Sequence, residues 1–210
     1  MARRMAEPGF QQEQWKRRYA PHIGSINRFV DELNENGARG KAPYVAPMYG
    51  GVAARLLSVL RDPGPMTQFE NEGSGFLCME NDDPTAEKIY SLFCESRIDA
   101  REIVPWNAYP WYIDRNPRAA EIDAGVDPLK RILDLLPNLL VVMLHGSIAQ
   151  NGWRRLLRKY PDTVAARRIL VLETFHTSPR AFIHRDPNVR EARRKHLRES
   201  FHKAAQHLGV

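Results

Sequence analysis

The segment at residues 139–144 (LLVVML) constrains the fold of this chain most strongly. Six apolar residues are too few for a typical helix, and apolar side chains on both faces are what a central strand of a parallel sheet needs. His145, Gly146 and Ser147 then turn the chain into a segment that we predict to be helical as far as Tyr160. A buried strand that leads directly into a helix predicts an α/β fold.

Other segments repeat these two patterns. The strand pattern recurs at residues 52–60 and 168–172, and Ile103-Val104 begins a short strand that we expect to break at Pro105. Helical spacing of apolar residues is found at residues 26–36 (stopped by Asn36-Gly37), from Asp83-Pro84 onward, at 129–136 and at 189–208. Strands that alternate with helices predict a three-layer α/β/α sandwich around a mostly parallel, four-stranded sheet.

Length and composition limit the class of protein. The 210 residues fit a single domain (1–210), in which residues 1–24 form a loosely attached arm or a first helix. No run approaches the roughly 18 apolar residues of a membrane span, and the basic N-terminus has no apolar stretch behind it, which argues against a secretory signal. Cys78 and Cys94 are the only cysteines, too few for a disulfide framework, a four-thiolate zinc site or an iron–sulfur cluster. We therefore expect a reducing, intracellular location.

Polar residues follow three of the predicted strands. Asp62, Asn107 and His176 each come just after an apolar run, and open parallel sheets bind ligands beyond the carboxyl ends of their strands. The amide could read hydrogen-bond donors and acceptors of a polar heterocycle, the imidazole could face developing negative charge, and the acid could orient water. This pattern alone leads no further, because the same three groups also suit several hydrolases.

Five short motifs extend the pattern in a fixed order. They are RDPGP at 61–65, GSGFL at 73–77, NAYP at 107–110, HGSIAQ at 145–150 and HTSPRAF at 176–182. In this order, from about residue 52 to 208, the chain resembles the uracil-DNA glycosylase superfamily. The resemblance implies a monofunctional DNA repair enzyme that flips uracil out of DNA, hydrolyses its N-glycosidic bond and leaves an abasic site. It implies uracil-containing DNA as partner, uracil as product, no metal, no cofactor, no membrane, and a monomer in the bacterial cytoplasm or nucleoid.

The resemblance assigns roles to the three strand-end residues. Asp62 falls at the position that orients the attacking water, Asn107 at the position that pairs with the pyrimidine edge, and His176 at the position that donates a hydrogen bond to the uracil O2. Each residue also has an ordinary structural explanation. Asp62 could cap a turn, Asn107 could bond its own backbone, and His176 could simply end a strand.

The resemblance to the family also implies further site residues. Phe76 is the candidate for stacking on the flipped base, although Leu77, Cys78 and Met79 lie within a small shift of the alignment. Pro63 and Gly64 are expected at the base, and Gly64 stands where one branch of the family has a Tyr that excludes the thymine methyl group. The residues expected to contact DNA are Arg61, Ser178, Pro179 and Arg180.

Two positions depart from the family pattern at its last loop, and one nearby histidine competes with His176. Thr177 replaces a proline of that loop, and Arg180 replaces a leucine that many members insert into the duplex. An arginine could fill the same space with its stem, stack on bases or bind phosphate. His145 also looks like a catalytic imidazole, but the family has a structural turn there, so we rank it below His176.

The positive charge of the chain has two possible explanations. The chain has 31 Lys and Arg against 25 Asp and Glu, a net charge of +6 that permits a polyanionic partner. The C-terminal segment carries Arg190, Arg193, Arg194, Lys195, Arg198 and Lys203 against Glu191 and Glu199, a net +4. These cations could contact phosphates or form a solvated face.

Three function classes remain in view. The first is a glycosylase, and the second is a catalytically weak protein of the same fold that binds DNA damage or abasic sites. The third is a small-molecule hydrolase, against which the basic balance and the lack of a GxSxG motif both argue.

Overall fold

The computed structural model describes residues 2–35, 39–165 and 167–210. The predicted helix stop at Asn36-Gly37 lies outside the described residues. The strands are β1 (Tyr44–Val45), β2 (Leu56–Leu60), β3 (Phe76–Leu77), β4 (Ile103–Asn107), β5 (Val141–His145) and β6 (Leu170–Thr174). The helices are α1 (Pro8–Lys16), α2 (Gly24–Glu35), α3 (Pro84–Glu95), α4 (Ala119–Ala124), α5 (Val126–Asp134), α6 (Ser147–Lys159), α7 (Asp162–Ala165) and α8 (Pro187–Leu208).

The main sheet has four parallel strands in the order β4-β2-β5-β6. On one face α3 packs on α8, with the rings of Phe93 and Phe201 4.9 Å apart, and on the other α4 and α5 pack against α6. Helix, sheet and helix layers confirm the predicted α/β/α sandwich with a four-stranded sheet. Every residue of β5 is buried, because this strand lies inside the sheet and is covered on both faces.

The edges of the sheet explain where the predicted strands were wrong. Pro105 does not break β4, because β4 is an edge strand and a missing N–H on the outer side costs no ladder hydrogen bond. Strand β6 is the other edge and is only partly buried, unlike the doubly covered strand predicted at residues 168–172.

Two strand boundaries also differ from the predicted ones. Residues Gly51–Ala53 form a 3-10 turn, so β2 begins only at Leu56. That turn needs glycine, since Gly51 has a φ of +58° and a side chain there would collide with the carbonyl of His22. Strand β5 extends to His145, which the sequence placed in the following turn.

The N-terminal residues are attached to the body of the protein. Arg4 forms an ion pair with the buried carboxylate of Glu80, and the backbone N–H of Met5 donates to the carbonyl of Glu80 (3.0 Å). The ring of Trp15 lies 4.6 Å from that of Phe76, between centroids. This segment therefore stabilises the small parallel sheet formed by β1 and β3.

Candidate active site

A cavity of about 970 Å³ opens beyond the carboxyl ends of the main strands and extends beneath α3. Asp62, Asn107 and His176 all line it. The parallel sheet brings them together, because Leu60 of β2 pairs with Asn107 of β4 and the next backbone N–H, of Ala108, donates to the carbonyl of Leu60 (2.9 Å). The three strand-end residues singled out in the sequence therefore face one space.

Asp62 is a buried carboxylate with a cationic neighbour. Its side chain is 3% exposed and accepts a hydrogen bond from Nε of Arg61, whose Nη1 also donates to Oδ1 of Asn116 (2.6 Å). Burial raises the pKa of Asp62 above its ordinary value, Arg61 opposes that rise, and the negative charge of Asp114 adds to it. The acid therefore lies in the cavity wall with part of its hydrogen-bonding capacity taken by Arg61.

Asn107 is the last residue of β4 and is almost fully buried. Its Nδ2 has no hydrogen-bond partner among the described residues. Leaving a buried donor unpaired costs about 1–3 kcal/mol, so such atoms in native proteins call for an explanation. An amide that is unpaired in a cavity wall is suited to bind a polar ligand.

His176 is a neutral hydrogen-bond donor. Its Nδ1 accepts a hydrogen bond from the backbone N–H of Ser178 (3.0 Å), so in the neutral ring the hydrogen is on Nε2. Burial, together with the positive charge of Arg61, lowers the pKa of His176 to about 4. At neutral pH this ring therefore carries no charge and one N–H.

Gly146 lets the turn after β5 approach His176 closely. Its φ is +90°, and a Cβ at this position would lie only 3.1 Å from Cβ of His176. The glycine of the HGSIAQ motif is thus required for backbone conformation and for space.

The remaining predicted residues divide into two groups. Those that line the cavity are Arg61, Pro63, Gly64, Ser178, Pro179 and Arg180. Phe76 does not line it, because its ring is fully buried on the side of β3 that contacts Trp15. Successive residues of a strand point to opposite sides, so the lining is formed by Leu77, followed by Cys78 and Met79. The structure thus places Phe76 in the core rather than at the site.

Sequence reasoning singled out His145 but missed Ser58 and Thr174, which together with it form the buried floor of the cavity. Ser58, in the middle of β2, lines the cavity and lies 3.0 Å from Nε2 of His145, measured from its Oγ. His145 Nδ1 lies 2.9 Å from Oγ1 of Thr174. The available signal was a serine inside the apolar run LLSVL, since a hydroxyl in a central strand must find a partner. Burial, together with the nearby His176, lowers the pKa of His145 to about 3.

The cations of α8 are mostly engaged within the protein. Arg190 donates to the backbone carbonyl of His184 (2.6 Å), and Arg193 donates to that of Ala181 (2.8 Å). These two hydrogen bonds attach the loop that follows His176 to α8. Three further ion pairs link α8 cations to carboxylates: Arg194 with Glu191, Lys195 with Glu199, and Arg198 with Glu95. Part of the predicted basic face therefore supports the loop beside the cavity.

Comparison with known protein families shows which family this chain resembles. The family model described as the uracil DNA glycosylase superfamily matches residues 47–204. A search of curated protein sequences gives no match to this chain. In the described part of the chain, no helix is long and apolar enough to cross a membrane. Over the same three ranges, no group of three or more His, Cys, Asp or Glu side chains is arranged to hold a metal ion.

Proposed function

The chain belongs to the uracil-DNA glycosylase superfamily, a family of DNA repair hydrolases, and on that premise we propose that it removes uracil from DNA. The reaction is hydrolysis of the N-glycosidic bond of a nucleotide that has been flipped out of the helix, and it leaves an abasic site. The protein acts as a monomer on intracellular DNA, and uracil is the released product.

One observation carries this proposal. The unpaired amide of Asn107 and the neutral ring of His176, which carries its hydrogen on Nε2, line the same cavity. A pyrimidine edge offers both donor and acceptor atoms to an amide, while a breaking glycosidic bond leaves negative charge on the base. A preorganised neutral donor stabilises such charge, and removal of one such donor in comparable sites costs about 3–4 kcal/mol of transition-state stabilisation.

The mechanism follows from the positions of the three side chains. Flipping brings the base within reach at a cost of a few kcal/mol of unstacking. Asn107 binds the base edge, and His176 donates its Nε2–H to the carbonyl oxygen on which charge develops. Asp62, held by Arg61, faces the cationic sugar and orients the water that attacks it. The water supplies the hydroxyl group to the sugar, and its proton ends on the base.

The rim beside His176 supports the flipping step. Ile183 is 74% exposed, and its backbone N–H donates to the carbonyl of Arg180 (3.2 Å) across the 3-10 turn Pro179–Phe182. Side chains three residues apart in such a turn lie on the same side, so Ile183 stands beside Arg180, which lines the cavity. An apolar side chain in this place can occupy the gap left in the stack, while Arg180 contacts phosphate.

A uracil-containing oligonucleotide tests the proposal. We expect the wild-type protein to release uracil and leave an abasic site, and Asn107→Ala to abolish release while salt-sensitive DNA binding persists. Asn138→Ala is the matched control, because Asn138 is exposed and lies outside the cavity lining. Release of uracil by Asn107→Ala at the wild-type rate would show that the assignment of Asn107 is wrong.

A second function is favoured by the Arg61–Asp62 ion pair. A carboxylate engaged by a guanidinium has less capacity to orient water, which suits a protein that binds damaged or abasic DNA and turns over poorly. The same assay separates the two functions. Binding without abasic product at stoichiometric protein would support the binding protein over the glycosylase.

A further inference from the structure

Three polar side chains form a continuous hydrogen-bonded chain beneath the cavity. Ser58, His145 and Thr174 belong to the neighbouring strands β2, β5 and β6, and they are 1%, 0% and 2% exposed. Ser58 and His145 line the cavity, whereas Thr174 lies behind them. None of the roles proposed above uses this cluster, which we call the floor triad.

The hydrogen bond that Thr174 donates assigns a direction to the other two in the floor triad. The hydroxyl of Thr174 donates to the backbone carbonyl of Phe175 (3.0 Å), so its oxygen accepts the Nδ1–H of His145. The neutral ring then has a lone pair on Nε2, which accepts the hydroxyl hydrogen of Ser58. Ser58 donates its single hydroxyl hydrogen to His145, so only the lone pairs of its oxygen are available to a ligand in the cavity.

The floor triad resembles a nucleophile with its base and an orienting group, but it cannot work as one. The pKa of His145 is lowered to about 3 because the ring is fully buried. A base with that pKa does not remove the proton of a serine hydroxyl near pH 7. The neutral ring instead serves to hold the hydroxyl of Ser58 in one direction.

The amide of Asn107 cannot by itself distinguish a uracil edge from a cytosine edge, whereas an acceptor with a fixed direction can. No described residue holds the amide hydrogens of Asn107, and a half-turn of the amide exchanges its oxygen and nitrogen. The amide by itself can therefore match either the N–H of a uracil edge or the bare ring nitrogen of a cytosine edge.

Ser58 is placed to resolve this ambiguity. It lies two residues before Leu60, the β2 partner of Asn107, and both Ser58 and Asn107 line the cavity. A strand spacing of about 4.8 Å and a rise of about 3.3 Å per residue place the two backbones about 8 Å apart, so both side chains border the same part of the cavity.

We infer that Ser58 is a specificity-determining residue whose fixed lone pairs select bases that present a ring N–H, the form that deamination produces, over their amino parents. This inference rests on one part of the proposed function, namely that the cavity binds a pyrimidine base. The lone pairs of Ser58 face the N–H of a uracil-type base favourably and the bare ring nitrogen of a cytosine-type base unfavourably. His145 and Thr174 act as positioning residues that keep Ser58 from turning its hydrogen toward the base.

Three variants test the inference, with free uracil and free cytosine as probes. Ser58→Ala removes the acceptor. Thr174→Val keeps the side-chain shape but removes the partner of His145 Nδ1, so that the ring can move its hydrogen to Nε2 and release the hydroxyl of Ser58. Thr174→Ser restores a hydroxyl and is the matched control.

We expect the wild-type protein to bind uracil at least tenfold more tightly than cytosine in NMR titrations. The preference should fall about tenfold in Ser58→Ala and in Thr174→Val, and Thr174→Ser should recover it. Nitrogen chemical shifts of His145 should report the Nδ1–H form in the wild-type protein and its loss in Thr174→Val.

The outcomes separate this inference from the proposed function. If the wild-type protein releases uracil from DNA but the preference between free bases is unchanged in Ser58→Ala, the inference is wrong and the glycosylase stands. If the preference responds as expected but no abasic site forms, the glycosylase is wrong and the inference stands. An Nε2–H form of His145 in the wild-type protein, or no binding of either base, would overturn the inference.

Discussion

The floor of the cavity (Ser58, His145 and Thr174) and its rim, by which we mean Asn107, His176 and Gly64, each contain a histidine but use their polar side chains differently. On the floor, every polar hydrogen of Ser58, His145 and Thr174 is donated within the protein, and only the lone pairs of Ser58 are left for a ligand. On the rim, Nδ2 of Asn107 has no acceptor among the described residues, and His176 carries its hydrogen on Nε2 because Nδ1 accepts from Ser178. A buried polar group that is fully paired stabilises or orients, whereas one that is left unpaired next to a cavity is available to a ligand.

The two histidines make this difference concrete. His145 ends β5 and His176 lies just beyond β6, and burial lowers the pKa of His145 to about 3 and that of His176 to about 4. Both nitrogens of His145 contact protein side chains, while in the described part of the chain His176 uses only Nδ1 for a hydrogen bond to the protein. Burial and pKa alone would not distinguish them, and the hydrogen-bond partners do.

The largest effect is expected at the rim. His176→Phe removes the donor that faces the leaving base, so the single-turnover rate of uracil release at pH 7 should fall by about 10²–10³-fold. The free energy of unfolding should change little by comparison. His202→Phe, at an exposed position of α8, is the control and should keep the wild-type rate. A wild-type rate in His176→Phe would show that His176 does not stabilise the leaving base.

The second prediction concerns the free energy of unfolding in acid and tests His145, a residue of the floor. The folded-state pKa of His145 is about 3 and its unfolded value is about 6.5, so the unfolded chain takes up this proton first as the pH falls. The imidazole therefore makes the protein less stable as the pH drops from about 6.5 toward 3.

Denaturant titrations at pH 6 and pH 4 measure this linkage. His145→Gln keeps polar atoms beside Ser58 and Thr174 but does not titrate. The loss of stability between the two pH values should therefore be smaller in this variant than in the wild-type protein, by roughly 2.5 kcal/mol. Equal losses in both proteins would mean that His145 is not held neutral on the floor.

The smallest effect is expected at Gly64, on the open side of the rim. Its φ of −79° suits any residue, and a Cβ at this position would meet nothing within 4 Å. Gly64→Tyr should therefore fold normally and fill open space. Activity on 5-substituted pyrimidines should fall several-fold more than activity on uracil, with Gly64→Ala as the control. Equal losses on both substrates would show that Gly64 does not border the base.

Much of the fold was predictable because burial leaves a pattern in the sequence. The run at residues 139–144 identified the doubly covered strand β5, and alternation with helical segments predicted the layers. The edges were harder to predict. Pro105 argues against a strand in local terms, and only the position of β4 at the edge of the sheet makes it acceptable.

The site was predictable in part for the same reason. Asp62, Asn107 and His176 lie at or just beyond the carboxyl ends of apolar runs, and parallel strands end at one edge of the sheet. Phe76 and Leu77 could not be told apart in the sequence, because both are apolar and the side of β3 that faces the cavity depends on packing against Trp15. The floor triad joins residues from three strands, separated by 87 and 29 positions, and no local pattern records such contacts.

The amino-acid sequence by itself determined the layered α/β fold and the order of the motifs at its strand ends, because hydrophobic periodicity and turn residues act over short stretches of chain. Only the tertiary structure decided which polar atoms are paired and which remain available to a ligand. The physical reason is that a hydrogen bond needs two atoms within about 3 Å, and residues far apart in the chain reach that distance only when the sheet and its helices have packed.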